Sequence, residues 1–230
     1  MNISSIVRLR TTAERDASIA LEKAVKGVWK SSQNTFSEIK DGVERASWYS
    51  SCLFEKYDGV CLELKQEDSR FIKSIFEVYK RKDIIADMIR MYIENELKES
   101  NNSQVQSIDI KLAKALSGYH SGRLTKAAIA NSLSVLIVNS FNFKNEVLIK
   151  LNKYSLAIVT AASFYGKVQM AASSARRLRG FSPGLYHVLY QNNMEMLYFL
   201  VSDKIDKALI YSSGLKGEER FVSIIKYLIN

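Results

Sequence analysis

Apolar side chains recur at spacings of four and three residues along the first part of the chain. The stripe is interrupted by polar Ser32 and Ser50, and it comprises Leu21, Val25, Val28, Phe36, Ile39, Val43, Ala46 and Leu53. This spacing places its members on one face of an α-helix. We therefore predict a long amphipathic helix that ends at Asp58-Gly59 and packs in a helical bundle, with a coiled-coil seam for a partner as the alternative.

A second pattern of the same period predicts a helix over Ser69–Glu99. The side of this helix that we expect to be buried carries Ile72, Ile75, Phe76, Tyr79, Met88, Ile89 and Tyr92. The polar sequence at 99–103, Glu-Ser-Asn-Asn-Ser, is typical of a loop. This loop is the best candidate boundary, and it would separate a charge-balanced helical pair at 1–103 from an apolar, basic helical bundle at 104–230.

The rest of the chain is also predicted to be helical. Turn signals set the helix limits, among them Ser117-Gly118 and the pair Ser182-Pro183, in which serine caps a helix and proline opens it. The predicted helices cover 105–116, 125–140, 146–178, 182–201, 203–211 and 217–229.

Composition favours the same architecture. A single proline and ten glycines are few for 230 residues, whereas all-β folds use many such residues in their turns. Hydrophobic residues make up 47% of the chain, which is enough to build a core. The predicted fold class is all-α, a multi-helix bundle of roughly eight helices with two long amphipathic helices at its N-terminal end.

The surplus of positive charge lies in one segment of the chain. Residues 104–179 hold eleven lysines and arginines against two acids, and this surplus of nine equals the net charge of +9 for the whole protein. The same segment contains two apolar runs, 127–143 and 154–175, the second of which is interrupted by Lys167. A segment that is both apolar and basic suits the surface of an anionic membrane.

Neither apolar run is typical of a permanent transmembrane helix. The first is shorter than the roughly 20 residues that cross a bilayer, and a lysine near the middle of the second costs about 2.5–3.5 kcal/mol. Both runs suit the core of a soluble protein, and both could also insert as a hairpin after release from a bundle.

The leading functional hypothesis is a non-enzymatic, membrane-active bacterial protein of the toxin or effector kind, either pore-forming or membrane-docking. It would be soluble until it meets an anionic bilayer, into which the two apolar runs would insert. The residues expected to contact lipid headgroups are Lys144, Lys150, Lys153, Lys167, Arg176, Arg177 and Arg179.

A soluble helical interaction module is the second hypothesis. An adaptor, chaperone or toxin-neutralising protein would use the same basic face to bind an acidic protein partner. A nucleic acid would also suit the sequence pI of about 9.4, but it is not favoured because no known nucleic-acid-binding motif is present. The sequence leaves the oligomeric state open.

A small basic nuclease is the third hypothesis. His120 lies in a polar loop beside Arg123, and a histidine with such a neighbour can act as a general acid or base on RNA. His187, on a later helix, completes the set of catalytic candidates. The sequence nevertheless favours a protein that is not an enzyme, since the usual nucleotide, zinc and acyl-transfer motifs are missing from it.

Cys52 and Cys61 are the only cysteines. A disulfide between them is geometrically conceivable, but we expect two reduced thiols in a cytosolic protein. No Cys/His cluster predicts a metal site, and no cofactor is predicted. The first residues lack the apolar core of a signal peptide, which predicts synthesis in the cytoplasm without Sec export; a specialised secretion system would leave no such mark.

Overall fold

The computed structural model describes residues 33–81, 83–140, 143, 145 and 161–230. Every regular element within these ranges is helical, which confirms the predicted all-α class. The α-helices, numbered in chain order, are α1 (Gln33–Trp48), α2 (Asp58–Lys80), α3 (Ile84–Glu96), α4 (Asn102–Ala115), α5 (Lys126–Asn139), α6 (Ala161–Phe181), α7 (Pro183–Gln191), α8 (Ser202–Tyr211) and α9 (Gly217–Ile229). Short 3-10 helices cover Tyr49–Leu53, Glu55–Tyr57 and Glu195–Leu200.

Tertiary contacts divide the chain into two compact units. Unit 1 comprises Met1–Ile72 with Lys153–Ser173, and unit 2 comprises Lys73–Asn152 with Ser174–Asn230. The limits of the units fall inside α2 and α6. A division of contacts does not test which segments fold independently, so the boundary expected after Ser103 stays a prediction.

The side chain of Arg45, on α1 in unit 1, is fully buried. Its guanidinium donates hydrogen bonds to two carboxylates of α2, Glu67 at 2.9 Å and Asp68 at 2.6 Å. It also donates to the carbonyl oxygen of Leu64 at 3.0 Å and to Gln169 of α6 at 3.1 Å. A buried charge is tolerated when it is paired and hydrogen-bonded, and this one joins three helices of the unit.

Unit 2 is built around α3 and α5, which share the most extensive helix contact in the described part of the chain. Helix α3 also packs against α7, and α9 packs against α4, α5 and α8. The fully buried apolar residues of α3 and α5 include Ile89, Ile93, Ile129, Ala130, Leu133 and Ile137. The apolar run predicted at 127–143 therefore supplies core residues to this unit.

Two predicted helix limits are wrong. Instead of one helix over Ser69–Glu99, the chain forms α2 and α3, because the Asp83 side chain accepts a hydrogen bond from the backbone N–H of Ala86 at 2.9 Å and caps a new helix. The pair Asp58-Gly59 was expected to end the first long helix. It opens α2 instead, and α1 already ends at Trp48.

The limits of α5 and α7 show where local signals suffice. Helix α5 begins one residue after the predicted start at Thr125, which caps it, its hydroxyl oxygen accepting from the Ala128 backbone N–H at 3.1 Å. Pro183 opens α7 as predicted, but the helix ends at Gln191 rather than near Val201. The chain turns there through Asn193, whose φ of 54° is left-handed and incompatible with a continuing helix.

The expectation of two reduced cysteines is also wrong. Cys52 and Cys61 form a disulfide, with their Cα atoms 4.9 Å apart. The two 3-10 helices that precede α2 fold the chain back on itself and bring the two sulfur atoms together. The bond closes residues 52–61 into a loop, which we call the apolar ring because it exposes Leu53, Phe54, Tyr57 and Val60.

Reduction of this disulfide is expected to lower the free energy of unfolding by about 2.5–3 kcal/mol, because the opened loop adds conformational entropy to the unfolded state. Urea unfolding of oxidised and reduced protein, followed by tryptophan fluorescence, measures the difference, since Trp48 lies in unit 1 directly before the 3-10 helix that contains Cys52. The double variant Cys52→Ser/Cys61→Ser is the control, and its stability should not respond to reductant. Equal stability of the oxidised and reduced forms would contradict the prediction.

Candidate functional site: a lysine and tyrosine groove

A cavity of about 820 Å³ opens along one face of α9 in unit 2. We call it the α9 groove. The residues that line it on α9 or directly after it are Glu219, Val222, Ser223, Lys226, Tyr227 and Asn230. Helix α4 contributes Lys111, and α8 contributes Lys204 and Tyr211. Counted from Glu219, the other α9 positions follow after 3, 4, 7, 8 and 11 residues, so they share one face of the helix.

The sequence of α9 explains why this face is turned outward. Its apolar residues Phe221, Ile224, Ile225 and Leu228 follow the same helical spacing on the opposite side and are buried. Burying them drives α9 against its neighbours. The remaining face, with its lysine, tyrosine and glutamate side chains, is left at the surface. This helix has the limits that the sequence predicts, and α8 begins one residue before its predicted start.

Lys111 is held in place at the groove wall by Glu218, the first acidic residue of α9. The Lys111 ammonium lies 2.9 Å from the Glu218 carboxylate, which also accepts a hydrogen bond from the Ser107 hydroxyl at 2.5 Å. These two contacts lower the pKa of Glu218 below its usual value, and the Glu218 hydrogen bond raises the pKa of Lys111.

The depressed pKa of Glu218 links this contact to acidity. Because the folded state favours the ionised carboxylate, the contact stabilises the protein at pH values above the ordinary pKa of a glutamate. That contribution is lost as the pH falls through the lower, folded-state pKa of Glu218. Around neutral pH both partners are charged, and Lys111 remains a cation.

Two tyrosines form the apolar part of the groove. The rings of Tyr211 and Tyr227 lie 5.4 Å apart, centroid to centroid, at an interplanar angle of 35°. Tyr211 is 70% exposed, and the neighbouring Ile210 is 73% exposed. Large apolar side chains that are exposed together beside polar groups are typical of protein interaction sites.

The charged residues that line the groove are mostly basic. Three lysines face one glutamate among the lining residues, so the lining carries a positive formal charge. An amine acts as a nucleophile only when its pKa is lowered, whereas the pKa of Lys111 is raised. Within the described ranges no His, Cys, Asp and Glu side chains cluster in a way that could hold a metal ion.

The catalytic candidates are placed in two settings. His120 is exposed in the loop after α4, and its carbonyl oxygen accepts a hydrogen bond from Arg123, which also stacks over Tyr119 at 4.5 Å. His187, on α7, instead shares a hydrogen bond with Gln191 at 2.9 Å. The interaction between His120 and Arg123 is therefore a loop contact, and their catalytic role stays a prediction.

The cations expected at a membrane have different surroundings. Lys167 is buried, Arg177 is paired with Asp206 at 2.9 Å, and Arg179 lies 6.0 Å from the ring centre of Tyr186. Arg176 is half-buried near the end of α6. The other three, Lys144, Lys150 and Lys153, lie outside the described residues. A role of this set at lipid headgroups stays a prediction.

None of the helices in the described part of the chain is long and apolar enough to traverse a bilayer. Helix α5, which covers most of the first apolar run, has 14 residues. Part of the second run, from residue 154 to residue 160, lies outside the described residues. Insertion of 127–143 and 154–175 into a membrane is therefore still a prediction.

The groove residues were not among the sites predicted from sequence. All of them except Lys111 lie in the segment from Gly180 onward, which carries equal numbers of acids and bases, so its composition gave no signal. The signal that could have found them is the second face of α9, where Lys226 and Tyr227 follow Val222 and Ser223 at helical spacing. Comparison of the chain with protein-family models, curated proteins and solved structures gave no match in any of the three.

Proposed function

We propose that the protein is a non-enzymatic helical binding module whose α9 groove takes an acidic segment of a partner protein. The observation that carries the proposal is the convergence of Lys111, Lys204 and Lys226 with the pair Tyr211 and Tyr227 on one cavity. Lysines attract carboxylates, and exposed tyrosines supply the contact area that makes such attraction specific.

The dimensions of the groove suit a peptide. From Glu219 to Asn230 the lining face of α9 extends about 16 Å, at about 1.5 Å per residue. An extended segment of about five residues covers that length at about 3.3 Å each. The cavity of about 820 Å³ is also of the size that binding pockets have in proteins.

Charge and aromatic contacts have separate tasks in this proposal. An exposed ion pair contributes only about 0.2–1 kcal/mol, so the lysines alone give weak, salt-dependent attraction. The rings of Tyr211 and Tyr227 can bury apolar surface against an aliphatic or aromatic residue of the partner. A partner segment with acids around an apolar residue would use both.

An anionic bilayer is the second candidate partner. It is favoured by one observation in unit 1, the apolar ring with exposed Leu53, Phe54, Tyr57 and Val60, since exposed apolar and aromatic residues also enter lipid interfaces. A flat lipid surface would not reach the lysines inside a cavity as well as a peptide would. For the α9 groove we therefore favour the peptide.

Replacing Lys226 by glutamate tests the groove. A fluorescein-labelled peptide with a leucine-tyrosine centre flanked by glutamates should bind the wild-type protein, as measured by fluorescence anisotropy. Lys226→Glu should weaken binding about tenfold, which corresponds to about 1.4 kcal/mol, because one attraction becomes a repulsion. Lys207→Glu is the matched control, since Lys207 is exposed on α8 but does not line the groove, and its affinity should stay near that of the wild type.

The same samples decide between peptide and membrane. Binding to liposomes of phosphatidylglycerol and phosphatidylcholine is measured by co-sedimentation, and dye release is measured alongside. If the protein binds liposomes but not the peptide, and Lys226→Glu leaves liposome binding unchanged, the proposed partner would be a bilayer and not a peptide. Failure to bind either probe would remove both.

A further inference from the structure

The two cysteines of the disulfide in unit 1 differ in their exposure to solvent. Cys52, in the 3-10 helix Tyr49–Leu53, is partly exposed, whereas Cys61 of α2 is only 7% exposed. Cys61 lies three residues before Leu64, which is 2% exposed, so these two side chains share the buried face of α2. A reagent that approaches from solvent therefore reaches Cys52 before it reaches Cys61.

The position of Cys61 also suits the sulfur that departs when the bond is attacked. Disulfides exchange when a thiolate attacks one sulfur atom and the other sulfur leaves as a thiolate. Cys61 is the fourth residue of α2, and the helix dipole favours negative charge in this first turn. Exposure and the helix dipole thus favour the same direction, with attack at Cys52 and departure of Cys61.

We propose that Cys52 is a modification site for low-molecular-weight thiols such as glutathione, and that its modification opens the apolar ring. The thiolate attacks Sγ of Cys52 and forms a mixed disulfide, while the bond to Cys61 breaks and its electron pair stays on the Cys61 thiolate. A second thiol molecule attacks the mixed disulfide, which releases the oxidised thiol dimer and leaves two reduced cysteines. This site is independent of the α9 groove and goes beyond the proposed binding function.

A second attachment limits how far the opening extends. Tyr49, at the start of the same 3-10 helix, donates a hydrogen bond from its hydroxyl group to Asp68 of α2. Its aromatic side chain also lies 6.0 Å from that of Tyr165, centroid to centroid. Neither contact involves a cysteine, so the start of the 3-10 helix should stay attached to α2. The movement is then confined to the residues after it, which include the exposed side chains of Leu53 and Phe54.

The experiment maps the thiol adduct on the full chain. Oxidised wild-type protein is incubated with reduced glutathione, free thiols are trapped with N-ethylmaleimide, and trypsin separates the two cysteines at Lys56 for mass spectrometry. Glutathione should be found on Cys52 at least about tenfold more often than on Cys61, because access decides which sulfur is attacked. The matched control is the same protein in urea, where both cysteines are accessible and the preference should disappear.

Hydrogen exchange of the reduced protein measures the extent of the opening. The backbone N–H groups of Phe54 and Tyr57 donate within this segment, to the carbonyl oxygens of Ser51 at 3.1 Å and Phe54 at 2.9 Å. Both amides should lose protection on reduction, whereas the amides of α1 near Arg45 should keep theirs.

Each outcome decides the inference. Glutathione found equally on both cysteines of the folded protein, or mainly on Cys61, would overturn the assignment of Cys52. A disulfide that resists glutathione in the folded protein but is reduced by the same concentration in urea would be purely structural, and the modification site would be refuted. Loss of protection throughout α1 on reduction would show that unit 1 unfolds rather than opening at the apolar ring.

Discussion

Arg45→Ala is expected to lower the free energy of unfolding of unit 1 by about 3–5 kcal/mol, the largest effect of any single substitution considered for this protein. The substitution removes the cation that Glu67 and Asp68 share at 2.9 and 2.6 Å. The two carboxylates would then lose this cation at a largely buried site, where Asp68 keeps the Tyr49 hydroxyl group as a hydrogen-bond donor. Removing one partner of a buried ion pair costs more than the pair itself contributes.

The measurement is urea unfolding followed by tryptophan fluorescence. Trp48, the last residue of α1, lies in unit 1, so its fluorescence reports this unit. Arg90→Ala is the matched control: Arg90 also has two carboxylate neighbours, Asp87 at 3.2 Å and Glu94 at 3.8 Å, but it is 33% exposed. Urea unfolding followed by circular dichroism should show that this control loses less than about 1 kcal/mol of its free energy of unfolding. An Arg45→Ala protein that loses no more than the control would refute the prediction.

Asp109→Ala is expected to destabilise unit 2 by about 3 kcal/mol. Asp109 is buried on α4, and its carboxylate accepts hydrogen bonds from the Tyr119 hydroxyl at 2.7 Å and from the backbone N–H groups of Gly122 and Arg123 at 2.6 and 3.2 Å. Because all three donors come from the loop between α4 and α5, a single side chain fixes the path of that loop. Without it, these donors lose their acceptor.

Tyr119→Phe separates the contributions to this loop. It removes only the hydroxyl group and should cost about 1 kcal/mol, whereas Asp109→Ala also frees the two backbone donors. Thermal unfolding by circular dichroism gives the stabilities, and hydrogen exchange gives the protection of the Gly122 and Arg123 amides. Unchanged protection of those amides in Asp109→Ala would show that the carboxylate does not hold the loop.

The sequence predicted elements whose limits are set by neighbouring residues. The cap at Thr125 and the proline at Pro183 act within one turn of the helices that they open, so both are visible in the sequence. The break at Asp83 was missed because the apolar pattern continues on both sides of it. The disulfide was missed because pairing depends on how two 3-10 helices fold the chain, which spacing does not reveal.

The groove also could be predicted only in part, because its residues come from segments that are far apart in the sequence. The limits of α9 and its buried face follow from local periodicity, and Lys226 could be placed on the outer face. Lys111 reaches this face only because α4 packs against α9, a contact between segments that are far apart in sequence. Likewise, Arg45 is an ordinary helical arginine in the sequence, and its burial depends on α2 and α6.

The apolar ring has a practical consequence for anyone who purifies this protein. With the Cys52–Cys61 bond intact, Leu53 and Phe54 are confined to a short closed loop. A buffer with dithiothreitol reduces the bond and opens that loop, so the same apolar side chains can contact those of other molecules. Self-association should therefore increase in reducing samples. Preparations handled with and without thiols are chemically different materials, and their binding data should be kept apart.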